Sequence, residues 1–186
     1  MPDPWQVLDR RPLLDRSPWL RLHDEHVRLA NGVEIPNYVM LWEPDVALVF
    51  AVTPDRRVPL VAQYRHGVQR VAVDLPGGYI DSGEDPLVAA QRELAEETGF
   101  ASDDWTRLGM LARNSGRGGQ AVHLYLARDA RPDGQRHLDH TEDIEMRLTP
   151  LADVMGLLEG GDILSVSSAA GVLWALRTLG QDGEAS

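Results

Sequence analysis

The chain has 186 residues, of which 43% are hydrophobic and 25% charged, and this length and composition predict one globular domain. Its formal net charge of −11 argues against nonspecific binding to nucleic acid or to an anionic membrane, since both favour a basic surface. The sequence contains no cysteine, which excludes disulfides and thiolate chemistry, and no lysine, which excludes a Schiff base or a lysine phosphate clamp.

The N-terminal segment, residues 1–42, predicts a β extension ahead of the main domain. Hydrophobic and polar residues alternate from Trp19 to Met40 around Asn31-Gly32, a pair that suits the positive backbone angles of a tight turn, and the segment therefore predicts an antiparallel hairpin. The N-terminus lacks a signal-peptide pattern, and no apolar run is long enough to span a membrane. We therefore expect a cytoplasmic protein.

The middle of the chain predicts a series of strands. Residues 45–52, DVALVFAV, are a continuous apolar run typical of a buried strand, and residues 56–65, RRVPLVAQYR, follow a turn and are expected to pair with it. Residues 70–78, RVAVDLPGG, predict a short strand that ends in a glycine pair. A further strand is predicted at residues 121–129, AVHLYLARD.

The strongest helix signal covers residues 86–98. Pro86 suits the first turn, the acidic residues before it suit a helix N-terminus, and Gly99 suits the end. Later segments predict a strand and a helix over residues 142–161, a C-terminal helix over 167–180 and a disordered tail over 181–186. Strands around one central helix, followed by further helices, predict a mixed α/β or α+β domain over residues 43–180.

Three glutamates, Glu93, Glu96 and Glu97, crowd into five residues of the central helix. At 100° per residue they share one side of the helix, next to an apolar stripe of Leu87, Ala90 and Leu94. Repulsion between such neighbours destabilises an isolated helix by roughly 0.2–0.5 kcal/mol per pair. A solvated acidic face is one interpretation of this cluster. Coordination of Mg²⁺, which prefers oxygen ligands, is the other.

The spacing of the surrounding residues favours the metal site. The pattern places Gly78, Glu84, Arg92-Glu93-Leu94, Glu96-Glu97 and Gly99-Phe100 at fixed intervals. It is similar at every position to the Nudix box, G-x5-E-x7-R-E-U-x-E-E-x-G-U, where U is apolar, and the chain therefore resembles the Nudix hydrolase superfamily. The resemblance implies an α+β fold, an α/β/α sandwich with a mixed β-sheet, and hydrolysis of a nucleoside diphosphate linked to another group.

The same resemblance implies roles for individual residues. Glu93 and Glu97 match the principal metal ligands, Glu96 matches a ligand used when more than one metal binds, and the carbonyl of Gly77 matches a backbone ligand. Arg92 matches the residue that orients the glutamates, and Glu84 matches a supporting acid. The implied cofactor is Mg²⁺, with Mn²⁺ as a substitute. Such chemistry needs positioning and charge stabilisation, and it needs no covalent nucleophile.

Segments outside the box narrow the resemblance to one branch of the superfamily. PLVAQYRHGV, DLPGGYIDSGED, AVHLYLAR and the N-terminal hairpin resemble the ADP-ribose pyrophosphatase and nucleoside-diphosphate-sugar hydrolase branch. The branch implies a homodimer in which the N-terminal strands exchange between subunits and help to form the nucleotide site. Arg65, in QYR, matches a phosphate-contacting arginine, whose forked head suits phosphate; a solvated arginine at a strand end is the alternative.

Other segments supply candidates for the base and for substrate binding. HTEDIEM resembles the acidic loop that carries the catalytic base in this branch, where Glu142 aligns best and Asp143 and Glu145 are rivals. Three aromatic residues are candidates for stacking on a nucleobase, with core packing as the alternative role: Trp5, Trp19 and Tyr38.

One segment departs from the branch. In ARNSGRGGQAVHLYLA, Asn114 and Ser115 stand where many relatives have a proline, and Gln120 stands near the position of an acid. Arg117, within NSGRGG, could reach a phosphate or a sugar. The departure leaves both ADP-ribose and other nucleoside diphosphate sugars open as substrates.

Two further functions stay open on the sequence. One is hydrolysis of another nucleotide, such as a dinucleoside polyphosphate, an oxidised nucleoside triphosphate or an RNA cap. The acidic charge argues against RNA, and the N-terminal hairpin argues against the compact triphosphate hydrolases. The other is a Nudix module that senses a nucleotide without hydrolysing it, although the box glutamates that such modules often lose are all present.

Overall fold

The computed structural model of the chain describes residues 3–134, 136–138 and 143–184. These residues form two compact units. The first comprises the described residues of Met1–Asp45 together with Ala112–Ala121, and the second comprises those of Val46–Leu111 and Val122–Ser186. Within the described ranges, no helix combines the length and apolar character that a membrane crossing requires.

The first unit contains an antiparallel meander of three strands, β1 (Gln6–Arg16), β2 (Leu20–Arg28) and β3 (Glu34–Trp42). The hairpin predicted around Asn31-Gly32 is confirmed, because β2 and β3 flank it. The Leu29 N–H donates to the Val33 carbonyl at 2.8 Å, and Gly32 has a φ of 84°. That left-handed conformation is one that glycine adopts without strain.

Strand β1 lies within the predicted β extension, but the sequence did not mark it as a separate strand ahead of the hairpin. Its residues, QVLDRRPLLDR, show no alternation of apolar and polar side chains, and most of them are exposed. The pairing with β2 includes ion pairs that run from exposed arginines to buried acids. The Nε of Arg10 lies 2.7 Å from the carboxylate of Glu25, and Arg11 pairs with Asp24 at 2.5 Å. Cross-strand charge pairs of this kind leave no hydrophobic period in the sequence.

The remaining residues that the structure describes add nine strands, one 3-10 turn and three helices. In chain order they are β4 (Val46–Ala51), β5 (Arg57–Arg65), β6 (Arg70–Asp74), β7 (Gly77–Tyr79), α1 (Pro86–Thr98), β8 (Phe100–Ala101), β9 (Asp104–Asn114), β10 (Gly118–Arg128), β11 (Arg131–Pro132), β12 (Ile144–Pro150), the 3-10 turn Leu151–Asp153, α2 (Val154–Glu159) and α3 (Val166–Glu184). Strands β9 and β10 pair, and their connecting end, 112–121, belongs to the first unit.

Strand β4 lies at the centre of the second unit. It pairs in parallel with β10 and antiparallel with β7, so the predicted mixed sheet is confirmed. The expected pairing of residues 45–52 with residues 56–65 is wrong. Strand β5 instead lies between β12 and β6 in a separate antiparallel sheet. Both edges of β4 are already occupied, and an apolar run in the sequence does not specify its partner.

The two faces of β4 pack against different helices. Ala47, Val49 and Ala51 pack in a buried cluster with Ala90 and Leu94 of α1. Phe50, on the opposite face, belongs to a second buried cluster that includes Val172 and Ala175 of α3. Because successive strand residues point to opposite faces, one strand supports two helical layers. This arrangement confirms the α/β/α sandwich and the α+β class.

The C-terminal helix extends further than the sequence indicated. Helix α3 continues through Glu184 and so replaces the predicted disorder over residues 181–184. Strand β9 was also not expected, because its outward-facing residues include several apolar ones and the segment has no clean alternation. The boundary between an N-terminal extension at residues 1–42 and a main domain at 43–180 stays a prediction.

A buried polar contact joins α3 to the end of β6. The hydroxyl of Ser168 donates to Asp74 Oδ1 at 2.9 Å and accepts from the Leu75 N–H at 3.3 Å. Asp74 also accepts from Arg65, whose Nε lies 2.9 Å from Oδ2. Asp74 and Ser168 are both buried, so each hydrogen bond replaces one that water would otherwise make.

Replacing Ser168 by alanine removes both bonds of the hydroxyl. We expect Ser168→Ala to lower the free energy of unfolding by about 1–3 kcal/mol, because it leaves a buried carboxylate oxygen and a backbone N–H without this partner. Urea unfolding measures the loss. Ser167→Ala, at a half-buried position on the same helix, is the matched control, and equal stabilities of the two variants would contradict the prediction.

Candidate active site

Helix α1 carries the crowded glutamates and has well-formed ends. The side chain of Asp85 caps its N-terminus by accepting from the Leu87 N–H at 2.8 Å, and Pro86 occupies the first turn. At the other end Gly99, with a φ of 72°, donates its N–H to the Ala95 carbonyl at 2.8 Å. The predicted helix and both of its termination signals are confirmed, so the spacing of the acidic residues is fixed in space.

The apolar side of α1 packs on the sheet, and this places two of the acids in partly enclosed positions. Glu93 and Glu97 are only 8% and 6% exposed, whereas the side chain of Glu96 is 41% exposed. A buried carboxylate is costly unless hydrogen bonds or opposite charges stabilise it. The environment of these acids must therefore supply such partners.

Arg92 supplies most of the positive charge in this cluster. Its Nη1 donates to Glu93 at 2.7 Å and to Glu96 at 3.1 Å. Its Nε and Nη2 each donate to an oxygen of Glu84 at 3.0 Å, and Nη2 also donates to the Tyr79 carbonyl at 3.0 Å. One planar guanidinium thus contacts three carboxylates and the backbone of β7, which its five fixed donors allow.

These contacts affect the pKa values of Glu84 and Arg92. The guanidinium of Arg92 holds the pKa of Glu84 below its ordinary value, against the opposing effect of burial. A hydrogen bond from the Asp81 N–H to Glu84, at 3.0 Å, acts in the same direction. The hydrogen bonds to Glu84, followed by those to Glu93 and Glu96, raise the pKa of Arg92. Glu84 is therefore an anion that anchors Arg92.

The two glycines before the helix bring the backbone close to the acids. The Gly77 N–H donates to Glu97 Oε2 at 2.8 Å. Gly77 has a φ of 153°, and a Cβ there would lie 2.1 Å from the Ala47 carbonyl oxygen. A Cβ at Gly78 would lie 2.4 Å from Glu93 Oε1. Only glycines permit this close approach of β7 to β4 and to α1.

The residues expected to bind metal are Gly77, Glu93, Glu96 and Glu97, and the structure joins them in two pairs: Gly77 with Glu97, and Glu93 with Glu96 through Arg92. Among the residues that the structure describes, no three acid or histidine side chains converge in a ligand cluster. Instead Arg92 and the Gly77 N–H hold the carboxylates. The donors are nevertheless all oxygens, which is the ligand type that a hard divalent cation prefers. The donor set fits magnesium in chemistry.

The other candidates in the second unit lie on different elements. Arg65, at the end of β5, is bound to buried Asp74 through Nε and Nη2, at 2.9 and 2.8 Å. Glu145, on β12, is exposed and pairs with Arg147 at 3.1 Å. Asp143 is exposed and precedes β12. Glu142, the first candidate for the base, lies outside the described residues.

The aromatic candidates and Arg117 lie in the first unit. The guanidinium carbon of Arg117 lies 4.7 Å from the centroid of the Tyr38 ring, and Trp5 contacts the same ring edge-on with centroids 5.4 Å apart. The Tyr38 hydroxyl donates to the Gly116 carbonyl. Trp5 and Trp19 are both exposed, so neither is a core residue. The segment NSGRGG is thereby held at Tyr38.

Two residues with structural roles near the site escaped sequence reasoning. Asp74 anchors Arg65. Its position as an acid at the end of an apolar strand could have indicated a buried polar contact. Arg136 donates to the backbone of Glu97 at 2.5 Å, but it lies in a polar segment without a motif.

The site is an acid cluster on a helix, held by one arginine beside a glycine-rich strand in an α/β/α sandwich. The NUDIX domain model matches residues 42–165. The chain belongs to the Nudix family.

Comparisons with individual proteins agree with this assignment. The chain is 34% identical to the ADP-ribose pyrophosphatase of Mycobacterium tuberculosis, over 82% of this chain and 74% of that protein. It is 30% identical to the ADP-ribose pyrophosphatase of Bacillus subtilis, over 80% of each. A crystal structure of an ADP compounds hydrolase matches the fold with a TM-score of 0.84 at 24% identity, over 98% of both chains. The expected branch and the enzyme class, a Nudix pyrophosphohydrolase, are confirmed.

The close approach of Gly78 to Glu93 allows a test of whether the position of the Glu93 carboxylate matters for turnover. In Gly78→Ala the new methyl group would displace the Glu93 carboxylate, which is the mobile end of a side chain, so stability should change little. We expect turnover to fall by about a hundredfold, since misplacing a catalytic group by about 1 Å has that effect. Thermal unfolding and steady-state rates measure the two quantities.

Gly156→Ala is the matched control, because a Cβ at Gly156 meets no atom within 4 Å. Retention of the wild-type rate by Gly78→Ala would show that the position of Glu93 does not matter.

Proposed function

We propose that the protein is a Mg²⁺-dependent hydrolase that cleaves the pyrophosphate of a nucleoside diphosphate sugar such as ADP-ribose. The products would be a nucleoside monophosphate and a sugar phosphate. The observation that carries the proposal is the cluster of Glu84, Glu93 and Glu96 on one guanidinium, beside the Gly77 contact to Glu97. The names of its relatives, which include ADP-ribose pyrophosphatases, support this substrate class.

Members of the family generally use a divalent metal ion, and we propose magnesium for this chain. Glu93, Glu97 and Glu96, with the backbone of Gly77, would hold it. When bound, such an ion neutralises charge on the phosphates and lowers the pKa of the attacking water. The enclosed positions of Glu93 and Glu97 support their role as principal ligands, and the greater exposure of Glu96 supports an accessory role.

The protein's own residues have separate tasks in this proposal. Arg92 holds Glu93 and Glu96 in place, and Glu84 anchors Arg92. A carboxylate, for which we propose Glu142 with Asp143 and Glu145 as rivals, takes a proton from water. The water oxygen then bonds to one phosphorus as the bond from that phosphorus to the bridging oxygen breaks. The departing phosphate keeps the electron pair of that bond.

Substrate binding is proposed for Arg65, Arg117, Trp5 and Trp19. The contacts of Arg65 with Asp74 and of Arg117 with Tyr38 support the proposal, because they hold each guanidinium in a defined orientation. Alanine variants should raise KM more than they lower kcat, and an unchanged KM would remove a residue from the set.

The resemblance to this branch also supports a homodimer, which a monomeric mass in analytical ultracentrifugation would contradict.

Glu97 offers the sharpest test of the metal role. We expect Glu97→Gln to lower kcat by about a thousandfold, the equivalent of several kcal/mol of charge stabilisation. It should also weaken Mn²⁺ binding measured by electron paramagnetic resonance. The isosteric amide keeps an acceptor for the Gly77 N–H, so stability should be nearly unchanged.

The control is Glu159→Gln, at the end of α2 and away from the box. Rates are measured as monophosphate release from a panel of nucleoside diphosphate sugars, dinucleoside polyphosphates and nucleoside triphosphates. Release from none of the sugars would contradict the proposed substrate class. Binding without any release would instead favour a sensing module.

A further inference from the structure

Three residues, Asp133, Arg136 and His137, donate hydrogen bonds to backbone carbonyls at the C-terminal end of α1. The Asp133 N–H donates to the Gly99 carbonyl at 2.9 Å, and the His137 N–H donates to the Glu96 carbonyl at 3.0 Å. The Nε of Arg136 donates to the Glu97 carbonyl at 2.5 Å. Carbonyls in the last turn of a helix have no partner within the helix, so these bonds complete its end. Two of the carbonyls belong to glutamates of the acid cluster.

Arg136 also binds a second element. Its Nη2 donates to the carbonyl of Ile144 at 2.8 Å. Ile144 is the first residue of β12 and is buried, and it pairs with Gln63 on β5. One guanidinium therefore joins the end of the glutamate helix to the start of a strand in the second sheet. Both acceptors are backbone oxygens, so the connection does not depend on other side chains.

The chain between these anchored points carries the candidate bases. His137 is fixed at the carbonyl of Glu96, and Ile144 is fixed through Arg136 at the carbonyl of Glu97. Glu142 and Asp143 lie between His137 and Ile144 in the sequence, and Glu145 follows directly. His137 and Ile144, the described residues that flank these candidates in the sequence, are thus tied to consecutive residues of α1.

We propose that Arg136 is a positioning residue that fixes the start of β12, next to the candidate bases Asp143 and Glu145, relative to the end of α1 that carries Glu96 and Glu97. The inference rests on the proposed function, since it concerns the distance between the base and the glutamates. Arginine suits this role because its planar head presents two donor directions at once, whereas a lysine ammonium is a single point of charge. Its positive charge also suits the C-terminus of a helix.

The test compares Arg136→Ala and Arg136→Lys with Arg131→Ala, an exposed arginine on β11 in the same part of the chain. Lysine keeps the charge at the helix end but not the fork, so it should preserve most of the stability. We expect both Arg136 variants to lower kcat by about ten- to a hundredfold with KM changed by less than about twofold, as for a misplaced reacting group. Arg131→Ala should leave kcat and KM unchanged.

A double-variant cycle separates positioning from a general structural effect. Glu142→Gln, Asp143→Asn and Glu145→Gln first identify the base as the residue whose replacement lowers kcat. In that background Arg136→Ala should lower the remaining rate by less than about twofold, because coupled residues give non-additive effects. Hydrogen exchange of a peptide covering residues 133–145 should be faster in Arg136→Ala, with the interior of α1 unchanged.

The outcomes distinguish the inference from the proposed function. No turnover by the wild-type protein overturns both. If the wild type turns over, three results overturn the positioning role alone. The first is full kcat in Arg136→Lys, and the second is an equal loss of kcat from Arg136→Ala in the wild type and in the base variant. The third is no loss of kcat from any of the three base variants. A selective loss of kcat that disappears in the base variant supports it.

Discussion

The guanidinium of Arg92 is the interaction on which the site depends. Without it, several carboxylates would lie within a few ångströms of one another on a helix whose other side is buried. Arg92 contacts Glu84, Glu93 and Glu96 and also the Tyr79 carbonyl, so it fixes the acids relative to one another and to strand β7. Glu84 pairs with it through both oxygens, which orients the plane of the head. The acids are therefore held close together.

The arrangement of the site depends on the scaffold, because the single strand β4 supports both α1 and β7. Strand β4 buries Ala47 and Val49 against α1 and Phe50 against the other helical layer, and it pairs with β7 along Gly77 and Gly78. The helix that bears the glutamates and the glycines that approach them thus share a single support. A displacement of β4 would move both, so the distance between them is protected by the packing of the core.

The sequence predicted the parts of this arrangement that local chemistry determines. The caps of α1, the turn at Gly32 and the spacing of the box each depend on a few neighbouring residues, and all appear as expected. The pairing of β4 could not be predicted, because apolar runs of similar composition are interchangeable as partners. Strand β1 is held by pairs such as Arg10–Glu25, which produce no hydrophobic period. Arg136 acts through backbone carbonyls distant in sequence, and no residue pattern marks such contacts.

The negative charge of the glutamate cluster exceeds the positive charge of Arg92, and this favours binding of a cation. Glu84, Glu93, Glu96 and Glu97 are four acids around one guanidinium, which leaves a formal charge of −3 when all are ionised. Hydrogen bonds such as that from Gly77 reduce the cost of this charge but do not neutralise it. Glu84 takes the Nε and Nη2 donors of Arg92, so the Nη1 donor alone serves both Glu93 and Glu96. The proposed divalent ion would in this way give an acidic protein a local positive charge with which to attract an anionic substrate.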